Sequence, residues 1–123
     1  MLWDETDVIS VLEVLPDVGE DGIYHDFHVE RAGLRLQFTV FQLDGDVRVR
    51  LWHEGCSAPV FETQVMDCPG IRRLFTADGT EYLEVATGQG SRGLGAGETS
   101  IAATLIVAIK PQIAVRLTTS ERA

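Results

Sequence analysis

Leu34-Arg35-Leu36-Gln37-Phe38-Thr39-Val40-Phe41 runs through Gln42-Leu43-Asp44-Gly45 into Asp46-Val47-Arg48-Val49-Arg50-Leu51-Trp52. On the first side of Asp44-Gly45, Leu34, Leu36, Phe38 and Val40 alternate with Arg35, Gln37 and Thr39. On the second side, Val47, Val49 and Leu51 alternate with Arg48, Arg50 and Trp52. A period of two marks a strand with one buried face, because successive side chains leave the backbone on opposite sides. An Asp-Gly pair between two such runs is a strong hairpin signal, since both central turn positions favour positive φ. Read as a two-residue turn, it sets Leu43 opposite Asp46, Val40 opposite Val49 and Phe38 opposite Leu51. The inner face is then apolar against apolar. On the outer face Gln37 meets Trp52, Thr39 meets Arg50 and Phe41 meets Arg48, with Arg35 alongside.

Asp78-Gly79 repeats the signal. As a two-residue turn it pairs Ala77 with Thr80, Phe75 with Tyr82, Leu74 with Leu83 and Arg73 with Glu84. The aromatic pair and the opposite-charge pair are both favourable across strands. Upstream, Ile23, His25, Phe27 and Val29 alternate with Tyr24, Asp26, His28 and Glu30 as far as Ala32-Gly33. Residues 58–66 read as a further strand ahead of a Cys68-Pro69-Gly70 turn, and 101–109 and 113–118 flank Lys110-Pro111-Gln112. The 101–109 run is apolar on both faces, as expected of a central strand buried on both sides or of a short buried helix. Its β-branched Ile101, Thr104, Ile106, Val107 and Ile109 favour the strand. Residues 4–15 fit either state: Asp4, Glu5 and Asp7 suit a helix N-terminus and Val8, Val11, Leu12 and Leu15 fall at helical spacing, whereas the Val and Ile content suits a strand. The fold expected is a single all-β domain over residues 1–123, an antiparallel β-sandwich of about seven or eight strands that admits a short N-terminal helix.

A chain of 123 residues is the size of one domain and can bury a core without staples. Ten basic and nineteen acidic residues give a net charge of −9. A field of that sign repels phosphate backbones and anionic lipid, which argues against nucleic acid and membrane as partners and admits a basic protein partner. Met1-Leu2-Trp3-Asp4-Glu5 has neither a basic n-region nor an apolar h-region, so no secretory leader is expected and cytoplasmic residence is the default expectation. In that compartment Cys56 and Cys68 are expected as free thiols, although sequence leaves a disulfide between them open.

The motifs that carry chemistry are sparse. Gly88-Gln89-Gly90-Ser91-Arg92-Gly93 matches G-x-G-x-x-G after a strand, but the expected helix and parallel strand do not follow, so it reads as a glycine loop. His53 and Cys56 have chelating spacing, and with His25 or Cys68 they supply a small metal-binding domain or metalloenzyme as an alternative. Against it, the second close doublet of a structural zinc site is missing, and His25 and His28, three apart on a strand, point to opposite faces. Ser57 and Ser100 lie near turns without a G-x-S-x-G elbow, and Cys56 has no local partner base. The acidic residues of 4–26 lack the spacing of a calcium loop. No catalytic group, metal site or cofactor is therefore assigned, and the balance leans away from an enzyme.

The surface that stands out is the outward face of the first hairpin. Trp52, Arg48, Arg50, Arg35 and Gln37 concentrate there, and Trp and Arg are the residue types enriched at binding hot spots. The leading expectation is a non-enzymatic, acidic protein-interaction module that uses this face, such as a small neutralising protein for a basic toxin or nuclease. A sandwich binding a small ligand or carbohydrate on an outward Trp52 is a second alternative. Self-pairing through an exposed strand edge, giving a homodimer, also fits such a fold.

Overall fold

The alternating runs pair as two antiparallel sheets. A computed structural model of the chain describes residues 1–87 and 100–122. Helix α1 (Glu5–Leu12) comes first, then β1 (Asp17–Val18), a 3-10 turn (Glu20–Gly22), β2 (His25–Arg31), β3 (Leu34–Phe41), β4 (Asp46–His53) and β5 (Phe61–Val65). The second half supplies β6 (Ile71–Phe75), β7 (Glu81–Ala86), β8 (Ser100–Ala108) and β9 (Ala114–Arg122). The strands form a five-stranded sheet in the order β1-β2-β3-β4-β5 and a four-stranded sheet in the order β6-β7-β8-β9. The all-β sandwich is as expected, with the two-residue β1 added at one edge.

The core lies between the sheets. Phe27, Leu36, Phe38, Val40, Val47 and Val49 of the first sheet and Leu83, Val85, Leu105 and Val107 of the second are each at most 1% exposed. The Phe27 and Phe38 rings meet edge to face at 6.3 Å, the arrangement their quadrupoles favour. Residues 4–15 resolve to a helix. The Asp4 side chain accepts from the Thr6 N–H at 2.8 Å, Glu5 and Asp7 occupy the first turn, and Val8, Val11 and Leu12 are buried along one face. Glu13 ends it in the left-handed region (φ 60°), its N–H donating to the Ile9 carbonyl, so Leu15 falls outside the helix and is exposed. Helix α1 spans one end of the sandwich. Its Glu5 carboxylate lies 2.9 Å from Nε2 of His25 in the first sheet, and its Ser10 hydroxyl donates to Glu81 in the second at 3.0 Å.

Both hairpins depart from the two-residue turns expected of their Asp-Gly pairs. In the first, Phe41 pairs with Asp46, Val40 with Val47, Phe38 with Val49 and Leu36 with Leu51. The loop is residues 42–45. The N–H groups of Asp44 and Gly45 both donate to the Phe41 carbonyl, and only Gly45 has positive φ, 76°. A type I′ turn needs positive φ at both central residues, and Asp44 does not adopt it. The longer loop is fastened to the chain leading into the second sheet: the Cys68 N–H donates to the Gly45 carbonyl at 2.7 Å, and the Asp46 carboxylate accepts from the Asp67 N–H at 3.2 Å. Because the shift is two residues, every side chain stays on its expected face.

The second hairpin slips by one residue. Phe75 pairs with Glu81, Leu74 with Tyr82, Arg73 with Leu83 and Arg72 with Glu84. Thr76 and Thr80 close a three-residue loop in which Gly79, at φ 87°, takes the left-handed position. Asp78 braces the loop by accepting from the Thr80 N–H and the Thr76 hydroxyl, hydrogen bonds that hold its carboxyl below the usual range. The expected Phe75–Tyr82 and Arg73–Glu84 pairs are therefore not formed. Arg72 meets Glu84 instead, and Arg73 meets Glu81 beneath Ser10.

The 101–109 run forms strand β8 as far as Ala108, central in its sheet and, over 103–108, buried on one face only. Leu105 and Val107 point into the core, while Thr104, Ile106 and Ala108 are half-exposed. Among the described residues no second layer covers that outer face. The glycine segment at 88–95 lies outside the described residues.

Two outcomes test this account of the second hairpin. A Cβ on Gly79 would meet nothing within 4 Å, so Gly79→Ala should lose about 1 kcal/mol of stability through backbone conformation alone, and Gly79→Asn less, as read by urea denaturation. Arg73 holds the Glu81 carboxyl below its ordinary range, chiefly by hydrogen bonding. Its stabilising contribution is thus present above the unfolded-state value and lost as pH falls through the folded one. Glu81→Gln should give a shallower loss of stability than the parent chain below roughly pH 4.

Candidate functional site

The pleat that sends Leu36, Phe38 and Val40 into the core sends Arg35, Gln37, Thr39 and Phe41 out, and the same holds for Val47 and Val49 against Arg48, Arg50 and Trp52. All five residues singled out in the sequence, Trp52, Arg48, Arg50, Arg35 and Gln37, share this outer face of the first sheet. Their neighbours differ from those expected. Arg35 pairs with Trp52, Gln37 with Arg50 and Thr39 with Arg48, while Phe41 faces Asp46.

Each arginine is held in its own way. The Arg35 guanidinium lies 4.4 Å from the centroid of the Trp52 ring, and that of Arg48 lies 5.3 Å from the Phe41 ring. Such cation–π contacts are worth about 0.5–1 kcal/mol at exposed sites. Arg50 forms an ion pair with Glu62 of β5, Nε to Oε2 at 2.7 Å, in a geometry that does not aim the N–H along the line of a hydrogen bond. Gln37 donates to Asp26, which also accepts from the Thr39 hydroxyl at 2.7 Å and lies 2.8 Å from His28 Nε2. Asp26 thus organises one flank of the face and Glu62 the other. Neither was singled out beforehand. The alternation of β2 marks Asp26 as outward, but only the strand order puts it beside Gln37 and Thr39.

Trp52 is half-buried on this face. Arg35 covers one face of its ring. Beside it, where β3 begins and β4 ends, a crevice of about 420 Å³ is lined by Arg31, Gly33, Arg35, Trp52, His53 and Cys56, among others.

The structure disperses the metal-ligand candidates. His53 and Cys56 are exposed near the end of β4. His25 pairs with Val40, and Val40 with Val47, so it sits at the opposite end of the sheet from His53, which pairs with Leu34. There it packs edge-on to Trp3 at 4.9 Å and meets Glu5. Cys68 is buried, its thiol donating to the carbonyls of Gly70 and Ala86. Among the described residues no three His, Cys, Asp or Glu side chains gather as a metal group. Nor is any helix among them long and apolar enough to cross a membrane.

No family model matches the chain, and no curated protein matches it. It is similar to a chain in a solved contact-dependent growth inhibition toxin–immunity protein complex from Klebsiella pneumoniae 342, with a TM-score of 0.74 over 95% of this chain and 94% of that one. The sequence identity is 13%, so the likeness is one of fold.

The two thiols should separate in reactivity. Both are free, and burial pushes the Cys68 thiol up. Cys56 is solvent-exposed. One thiol per folded chain should react rapidly with a disulfide reagent at neutral pH, and two after unfolding in denaturant. Rapid reaction of both in the folded chain would contradict the burial of Cys68.

Proposed function

We propose that the chain is a non-enzymatic protein-interaction module of the immunity type, which binds a toxin domain and neutralises it by occupying its working surface. The observation that carries this reading is the outer face of the first sheet. There Trp52, Arg35, Arg48, Arg50 and Gln37 stand together on a sandwich that shares its fold, nearly end to end, with a chain of a toxin–immunity protein complex. A net charge of −9 suits the role, because it raises the encounter rate with a basic partner and repels that partner's anionic substrates. Stacking of Arg35 on Trp52 and of Arg48 on Phe41 fixes long side chains before binding, which lowers the ordering cost of an interface.

The test takes the products of the genes flanking this chain's own as candidate toxin domains. The parent chain should form a one-to-one complex in size-exclusion chromatography and restore growth when co-expressed. Trp52→Ala combined with Arg50→Ala should weaken binding by about 2 kcal/mol or more, as expected for hot-spot positions, while the circular dichroism spectrum is retained. A folded double variant that binds and protects as the parent does would move the site off this face. No complex and no protection with the parent chain would overturn the function.

A further inference from the structure

The chain has nineteen carboxylates for ten cations, nine of the cations being arginine, yet pairing is not general, and among the described residues the exposed Arg31 and Arg116 take no carboxylate partner. Arg50, Arg72, Arg73 and Lys110 each take one. Arg35 and Arg48, in the middle of the proposed face, form no ion pair among the described residues. Proximity does not explain this for Arg35. Glu30 lies directly opposite it across the β2–β3 ladder, yet the guanidinium turns to Trp52 instead. Arg48 stands between Thr39 and Gln64, and its Nε is buried without a hydrogen-bond partner. The carboxylates around it by register are engaged elsewhere: Asp46, two residues away on β4, accepts from the Asp67 N–H, Glu62 pairs with Arg50, and Asp26, opposite Thr39, is engaged by Thr39, Gln37 and His28.

Two stacked guanidiniums without internal acceptors are planar donor forks awaiting acceptors, and carboxylates match that fork. Arg35 and Thr39, the rung neighbour of Arg48, are four residues apart on β3, a spacing of roughly 13 Å along a strand. The surroundings choose between kinds of anion. Asp26, Glu30 and Glu62 flank the two arginines on the same face, and the chain as a whole is strongly negative. A continuous phosphate backbone would meet those carboxylates at every step. Two isolated carboxylates set among basic residues would not.

We propose that Arg35 and Arg48 anchor two separate carboxylates on an otherwise basic contact segment of the partner protein. The inference rests on the reading of this face as the protein-binding surface and specifies the chemistry of its occupant. The partner's basic residues then lie over Asp26, Glu30 and Glu62, and its two acidic residues fall between them.

The experiment uses the full chain labelled with ¹⁵N and a capped seven-residue peptide of alternating Thr and Val, with glutamates at its second and sixth positions and a lysine at each end. Controls replace one or both glutamates by glutamine, and a thymidine heptanucleotide serves as the phosphate probe. The Nε–H signals of Arg35 and Arg48 should both move on titration. The two-glutamate peptide should bind at least tenfold more tightly than either control peptide, and Arg35→Gln and Arg48→Gln should each weaken it at least fivefold with the amide spectrum otherwise unchanged. Equal binding of the glutamine peptides, or indifference to both substitutions, would overturn the proposal. Tighter binding of the heptanucleotide would replace carboxylate by phosphate. Failure of the immunity reading is distinguishable, because the peptide titration does not involve the toxin. Conversely, a toxin domain that binds the parent, Arg35→Gln and Arg48→Gln chains equally would overturn this inference and leave the function standing.

Discussion

The pleat of β3 and β4 is the constraint on which the molecule depends. Successive residues must leave a strand on opposite faces, so closing Leu36, Phe38, Val40, Val47 and Val49 onto the second sheet forces Arg35, Gln37, Arg48, Arg50 and Trp52 outward. The core and the candidate binding face are therefore two readings of one alternation. A change that weakened the apolar phase would displace the polar one with it. Helix α1 joins the arrangement by touching both sheets, through Glu5 to His25 and Ser10 to Glu81.

The phase of β2, β3 and β4 was legible in the sequence, and the register of the hairpins was not. Asp44-Gly45 and Asp78-Gly79 both announce hairpins, but a hairpin's register depends on how many residues the loop takes up. Hydrogen bonds made within the loop or from it to distant residues decide that number. The first loop is set partly by Cys68 and Asp67, more than twenty residues downstream, and its two-residue shift leaves all faces intact. The second is set by Thr76, Asp78 and Thr80 closing on themselves, and its one-residue slip exchanges partners, giving Glu84 to Arg72 and Glu81 to Arg73. The membership of the outer face survived the first error because parity did. The flanks formed by Asp26 and Glu62 could not be read, since strand order places them and alternation does not. Cys68 and His25 likewise look like ligand candidates in the sequence and become a buried thiol and an end-of-sheet contact once the sheets are assembled.

The electrostatics of the face run counter to the overall charge. A chain with a net charge of −9 presents a strip of arginine along β3 and β4, bordered by carboxylates of β2 and β5. Long-range attraction and short-range fit are thereby assigned to different groups. In the function proposed above, the summed acidic field governs encounter, whereas guanidiniums stacked on Trp52 and Phe41 govern what docks. A partner selected on net charge alone would match the first and not the second.

The order of strands has a consequence of a different kind. In both sheets each strand bonds to the strand next to it in the chain, with no crossover in β1-β2-β3-β4-β5 or in β6-β7-β8-β9. Backbone pairing then closes short stretches of chain, and the long-range steps are left to the face-to-face meeting of two preformed meanders and to the docking of α1. For an all-β protein this lowers the mean separation of contacting residues, which favours faster folding than sandwiches whose strands pair across the whole sequence. A freshly made chain of this topology spends less time with unpaired strand edges exposed, the state in which β-rich proteins aggregate.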